Sequence, residues 1–256
     1  MGTGRYAVLL CAQESEYVKK QYGGYFGVFK GMLENEGETW DAYRVAAGEF
    51  PDEAEIHGYD GFVITGSCND AHSDDPWILK LVELLKTLDK MDKRILGFCF
   101  GHQILCRALG GETGRARGWD IGVTNVKLSP SASRLFSSLN LPTVLSVIEC
   151  HQDEIMKLPS RAEAIASSDK TRVEVFKCGD HIMGIQGHPE YNKDIVLHLI
   201  DRLVKWNLIT ESFADEVKAN LAEQEPDARA WKQLCVSFLK GKYPFTNKNK
   251  KQIKKV

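Results

Sequence analysis

Between Arg5 and Gly111 short apolar runs alternate with amphipathic stretches, and this alternation admits few architectures. "RYAVLLCA" (5–12), "TWDAYRVAAG" (39–48), "FVIT" (62–65) and "RILGFC" (94–99) read as strands, while "YGGYFGVFKGMLENEG" (22–37) reads as a loop leading into a helix. "DDPWILKLVELLKTLDK" (74–90) is a strong helix. Asp74 and Asp75 favour its start, Pro76 suits its first turn, and Ile78, Leu81, Val82, Leu85 and Leu88 share one face. Strands joined by such short helical crossovers predict an α/β fold, a mostly parallel twisted sheet flanked by helices, with the chemistry at the C-terminal ends of the strands. The later runs "WDIGVTNVKLS", "TVLSVIECHQD", "EAIASSD", "RVEVFKCG" and "HIMGIQGH" are spaced closely enough for hairpins and predict an additional small antiparallel sheet. From Lys193 onward two or more helices close the fold, with "DIVLHLIDRLVKWNLI" the clearest.

No repeat or linker interrupts the chain, so residues 1–240 are expected to form a single domain and 241–256 a lysine-rich tail. "KGKYPFTNKNKKQIKKV" carries seven lysines in 17 residues, which reads as a solvated, disordered segment or as an address for a polyanion or the nucleus. A formal charge of -2 and a pI near 6.4 give no reason to expect nucleic acid or an anionic membrane as partner. The seven cysteines (11, 68, 99, 106, 150, 178 and 235) are dispersed and never form CxxC, which argues against a disulfide framework and against a zinc site. The first apolar run is too brief for a signal peptide or a membrane span, and Tyr6 stands where the myristoylation pattern needs Ser or Thr. A soluble intracellular protein with reduced thiols is expected.

One cysteine differs from the rest. Cys99 lies between a buried strand and a helix, flanked symmetrically as G-F-C-F-G by Gly97 and Gly101. Such a sharp turn pushes a nucleophile out above the sheet, and the free N–H groups and positive dipole end of the following helix favour a thiolate or a developing oxyanion. Cys106, mid-helix among Ile104, Leu105, Ala108 and Leu109, reads as core. A thiol nucleophile needs a base, commonly a histidine oriented by a third group. In "GIQGHPEY" the extended or turn geometry at Pro189 lets His188 and Glu190 project to one side, so that the carboxylate can orient the imidazole. His102 and His151 are as readily structural as functional on spacing alone.

"GFCFGHQIL" (97–105) and "GIQGHPEY" (184–191) together resemble the signature of the class I glutamine amidotransferase family, G-x-C-x-G-x-Q with a later H-P-E. "FVITGS" resembles that family's oxyanion loop, "RGWDIG" its loop over the substrate, and "CHQDEIMKLP" its H-x-D-x-x-x-x-L-P segment. The similarity runs from about Arg5 to Asp201. It implies the family's flavodoxin-like fold, with Cys99 forming a γ-glutamyl thioester, His188 acting as base and then acid, and Glu190 orienting His188. It further implies oxyanion donors at the Phe100 backbone N–H and in the Gly66-Ser67 turn, and substrate contacts at Gln103, near Asp120 to Gly122, and at Asp153.

This chain departs from ammonia-supplying members, whose oxyanion loop reads G-G-P, by having Gly66-Ser67-Cys68, and a fused synthetase domain is not expected in it. "KKQYGGYFGVF", "GEFPDEAEIHGYDGFVITGSCNDAHSDDPWI" and "IQGHPEYNKDI" look like the plant γ-glutamyl peptidases. That resemblance implies a cytosolic hydrolase of glutathione and its S-conjugates, in sulfur and specialised metabolism such as glucosinolate or camalexin-like routes. It implies no cofactor, no metal and no obligatory synthetase partner. A glutaminase subunit feeding ammonia to a separate synthetase shares the acylation step and remains an alternative, as does a non-catalytic binding protein. "YGGYF" and "GSCNDAHSDDPW" are candidates for the opening on the leaving-group side, or are ordinary βα loops.

Overall fold

The expected strands and helices recur in the computed structural model, which describes residues 4–242. In chain order the elements are β1 (Arg5–Leu9), α1 (Glu16–Tyr22), α2 (Gly24–Leu33), β2 (Thr39–Tyr43), α3 (Glu53–His57), β3 (Gly61–Ile64), α4 (Pro76–Lys90) and β4 (Arg94–Phe98). They continue with α5 (Phe100–Ala108), β5 (Glu112–Leu128), α6 (Pro130–Leu135), β6 (Val144–Lys157), β7 (Ala162–Ser167), β8 (Val175–Cys178) and β9 (Ile182–Ile185). Helices α7 (Lys193–Lys205), α8 (Glu211–Glu223) and α9 (Ala228–Leu239) follow. Among the described residues no helix is long and apolar enough to cross a membrane.

The strands form one sheet in the order β2-β1-β3-β4-β9-β8-β7-β5-β6. β2, β1, β3, β4 and β9 are mutually parallel, and pairing turns antiparallel from β9 to β8 onward. The antiparallel strands are therefore continuous with the parallel part, joined through β9. Period-two alternation along the strands feeds two cores. Val8, Val63, Leu96 and Phe98 face α2, α7 and α9, whereas Leu9, Phe62, Ile64 and Ile95 face α4 and α5.

The five apolar positions expected on one face of α4 are all buried. Other boundaries shift for local reasons. "TWDAYRVAAG" holds its strand only to Tyr43, then makes a tight turn over Val45–Ala47 that ends at Gly48 with φ 88°. α1 precedes the expected helix, started by Ser15, whose hydroxyl accepts from the Val18 N–H, and stopped by Gly23 at φ 72°. α3 is fixed by a capping box between Asp52 and Glu55. "RGWDIG" is not a loop. It lies within β5, where the register jumps from Arg115 opposite Asp153 to Asp120 opposite His151, so four residues bulge out against Gln152.

The first lysine of the basic segment is buried rather than solvated. Lys240 pairs with Glu38 at 2.6 Å and sits 3.4 Å from the ring centroid of Tyr6, tying the end of α9 to the sheet edge. Residues 243–256, the bulk of the expected tail, lie outside the described residues.

Candidate active site

Three neighbouring parallel strands deliver the site. β3, β4 and β9 run level, with Ile64 opposite Gly97 and Phe98 opposite Ile185, so the residues just beyond their C-terminal ends meet. Gly66 follows β3, Cys99 follows β4 and His188 follows β9.

Cys99 occupies the turn itself, with φ 50° and ψ -107°, and its N–H donates to Ile185 O at 2.9 Å. A non-glycine residue in this region of backbone space costs on the order of 1–3 kcal/mol and persists only where its surroundings enforce it. The flanking glycines are part of that enforcement. A Cβ on Gly97 would stand 2.5 Å from Gly101 O, and one on Gly101 would stand 2.4 Å from Ile64 O. The strand-to-helix turn therefore needs backbone contact that any side chain would block. α5 starts at Phe100, so the Phe100 N–H is one of the helix's unpaired first donors, while its ring stacks on Trp77 at 5.6 Å.

His188 is anchored from several sides. Its N–H donates to Ile148 O at 2.7 Å, and a turn through Pro189 is closed by Tyr191 N–H donating to His188 O at 3.1 Å. This turn brings Nδ1 to 2.8 Å from Glu190 Oε1, both side chains being buried. The imidazole stacks on the Tyr191 ring with centroids 4.2 Å apart and planes 2° from parallel. Gly66 leaves no freedom on its far side, since a Cβ there would come within 2.9 Å of His188 Cε1 and 3.7 Å of Cys99 Cβ. Burial disfavours the imidazolium, but the Glu190 carboxylate and the Cys99 sulfur together outweigh it and raise His188 from 6.5 to about 10. The site thus favours a proton on the imidazole, set between the Glu190 carboxylate and the Cys99 sulfur.

These groups open into a cavity of about 270 Å³. Gly66, Ser67, Cys99, Gln103, Asp153 and His188 all line it. Gln103 Nε2 donates to Asp153 O at 2.7 Å and to Gln186 Oε1 at 3.1 Å, joining α5 to β6 beneath the cavity. The "GSCNDAHSDDPW" loop contributes Ser67 to Asp70 and is pinned to α5 by Arg107, which donates to Ala71 O at 2.9 Å and to Asp74 at 2.7 Å. "YGGYF" contributes Tyr25.

Asp120 and Gly122, expected as substrate contacts, do not line the cavity. Asp120 is buried against Lys170 at 2.7 Å, and Gly122, at φ 124°, backs onto Asn220 of α8. Behind the cavity, Glu149 and Glu174 are buried in mutual contact. Burial and Asp120 push the Glu149 carboxyl well above its usual range, and burial and Glu149 do the same to Glu174. His151 Nε2 lies 3.4 Å from Glu149 Oε2. Burial holds His102 neutral, lowering it to about 3, so it serves as core. Burial also pushes the Cys106 thiol up to about 12, as its mid-helix position implies.

Sequence reasoning missed Tyr191, although it follows H-P-E directly, and it missed the mixed-charge cluster at the cavity mouth. Arg115 donates to Asp70 at 2.8 Å and forms an ion pair with Asp153 at 2.9 Å, while His72 Nδ1 lies 3.5 Å from Asp153. Asp70, His72 and Asp153 place ligand-type atoms within 4.8 Å of one another, but Arg115 already occupies both carboxylates.

Residues 29–195 match the class-I glutamine amidotransferase family. The chain is 49% identical over 242 residues to γ-glutamyl peptidase 5 of Arabidopsis thaliana, a match covering 93% of this chain and 96% of the relative. The chain belongs to that family. γ-Glutamyl peptidase 3 of the same plant is 46% identical, with 93% and 97% covered. The crystal structure of a glutamine amidotransferase from Thermotoga maritima shares the fold with a TM-score of 0.73 at 22% identity, covering 94% of this chain and 98% of that one. As a member of the γ-glutamyl peptidase family, the chain is an enzyme of the hydrolase class.

Proposed function

We propose that this enzyme hydrolyses the γ-glutamyl amide of glutathione and its S-conjugates through a γ-glutamyl thioester on Cys99. The observation that carries the reading is the His188–Glu190 pair, 2.8 Å apart and buried, facing the sulfur at the strained turn beyond β4. The high identity to γ-glutamyl peptidases supports the choice of amide.

In the first half-reaction, with the proton of the Cys99–His188 pair carried on the imidazole, the Cys99 sulfur attacks the γ-carbonyl carbon. The oxyanion meets the Phe100 N–H and a donor from the Gly66-Ser67 turn, an arrangement typically worth about 3–4 kcal/mol per donor. The C–N bond then breaks and the amine departs with the proton of imidazolium His188, leaving the thioester. In the second half, His188 takes one proton from water as the water oxygen adds to the thioester carbonyl, and the C–S bond breaks to release glutamate, whose new carboxyl loses the other proton, and to restore the Cys99–His188 pair with its proton on the imidazole. Glu190 holds the imidazole orientation and stabilises its charged form in both halves. Gln103 and Asp153 are proposed to contact the glutamyl group. The sequence expectation of a cytosolic setting belongs to the same proposal.

The test is glutamate release from glutamine, glutathione and S-benzylglutathione, each given separately to wild type and Cys99→Ala. Release from the two peptides by wild type alone supports the reading. Cleavage of glutamine alone replaces the peptidase with a glutaminase, and unchanged cleavage by Cys99→Ala removes the nucleophile.

A further inference from the structure

The cavity extends well past the reacting groups, and its two ends differ chemically. One end is polar and carries both charge signs, from Asp70, Arg115 and Asp153. The other is formed by α7, where Leu199, Arg202, Leu203 and Trp206 recur at helical spacing and so share one face, joined by Trp119 from the β5 bulge. Trp206 and Leu208 remain about half exposed at this end, an apolar surface left open beside a reactive centre.

Arg202 is the charged group of this second end. Its Nε is buried with no hydrogen-bond partner among the described residues, and its guanidinium carbon lies 4.8 Å from the Trp206 centroid. The titratable groups it influences there are Tyr25 and Cys150, both held neutral by burial, the latter at about 12. A cation with an unused donor, set beside the neutral Tyr25 and Cys150 and the apolar residues of α7, is complementary to an anionic group attached to an apolar body.

The γ-glutamyl half of the substrate carries an ammonium and a carboxylate, which suit the mixed-charge end. We infer that the α7 end receives the departing half. Arg202 pairs with the free C-terminal carboxylate of the leaving peptide, and Trp119, Leu203 and Trp206 take an apolar substituent on it. This assignment rests on the hydrolase reading above and adds a specificity: γ-glutamyl peptides with a terminal carboxylate and an apolar side group, in preference to γ-glutamyl amides lacking either.

The experiment compares S-benzylglutathione with its C-terminal amide, and separately with S-methylglutathione, by kcat/KM for glutamate release. Wild type is expected to favour the free acid over the amide by roughly tenfold or more, the effect of a charge-assisted bond. Arg202→Met is expected to bring that ratio near one, mainly through KM for the acid, and Arg202→Lys to restore part of it. Trp206→Ala, at a half-exposed position, is expected to reduce the preference for benzyl over methyl about tenfold. Equal cleavage of acid and amide by wild type, or an unchanged ratio in Arg202→Met, overturns the carboxylate pairing while leaving the hydrolase intact. A benzyl preference untouched in Trp206→Ala overturns the apolar wall. If wild type cleaves none of the peptides, the hydrolase reading fails and this inference falls with it.

Discussion

Replacing Glu190 with Gln keeps the shape of the His188 partner and removes its charge. Nδ1 and Oε1 are 2.8 Å apart in a buried setting. With charge centres roughly 4 Å apart and an effective dielectric constant of about 20, their attraction is about 4 kcal/mol. That corresponds to about three pH units. The opposing influence, burial, survives the substitution, and so does the favourable Cys99 sulfur. His188 should therefore fall from about 10 by two to three units in Glu190→Gln. The sign for stability follows. A histidine raised on folding contributes stability that is complete below its ordinary 6.5 and is lost as pH climbs through about 10, so the variant should lose less stability across that interval. The direct assay is the titration of the His188 Cε1–H resonance in labelled protein, assigned with His188→Asn. kcat at neutral pH should fall on the order of 10²–10⁴-fold, because orientation of the imidazole is lost as well. A His188 titration displaced by less than about half a unit would falsify the electrostatic argument.

Gly66→Ala should lower kcat sharply while leaving the melting temperature within a few degrees, because the added methyl meets the imidazole at 2.9 Å; steady-state kinetics beside calorimetry separates the two, and full activity would contradict the packing described. Lys240→Met should destabilise the fold by about 2 kcal/mol, since Glu38 loses its cation but keeps the Asn35 N–H and the Trp40 Nε1–H. Urea unfolding measures it, and a further check lies in the acid range. Glu38 is held below its usual value despite the opposing effect of burial, by the Asn35 N–H and by Lys240. The wild-type advantage should therefore be present above about pH 4.5 and vanish as pH falls through the depressed value.

The parallel half of the sheet was legible because each buried strand is a continuous apolar run with a turn signal after it, and "GFCFG" carries its geometry in its glycines. α1 and α3 escaped notice because seven and five residues give too little periodicity to stand out, although Ser15 and the Asp52–Glu55 pair are ordinary start signals. Asp120 was misplaced for a different reason. A motif shared with a family reports chain position, whereas the β5 bulge and Lys170, fifty residues on, decide where that carboxylate goes. Arg202 and Trp206 were visible only as members of an amphipathic helix. That their face borders the cavity depends on how α7 packs against the sheet, which periodicity along one helix does not encode.

The central claim is a covalent γ-glutamyl enzyme on Cys99. The most direct measurement is intact and peptide mass spectrometry of enzyme mixed with excess S-benzylglutathione and quenched in acid within the first turnover. The account requires the peptide containing Cys99 to gain the mass of one glutamyl acyl group, labile to hydroxylamine, with no gain in Cys99→Ala. Turnover by wild type with the added mass on another residue, or turnover sustained by Cys99→Ala, would contradict it.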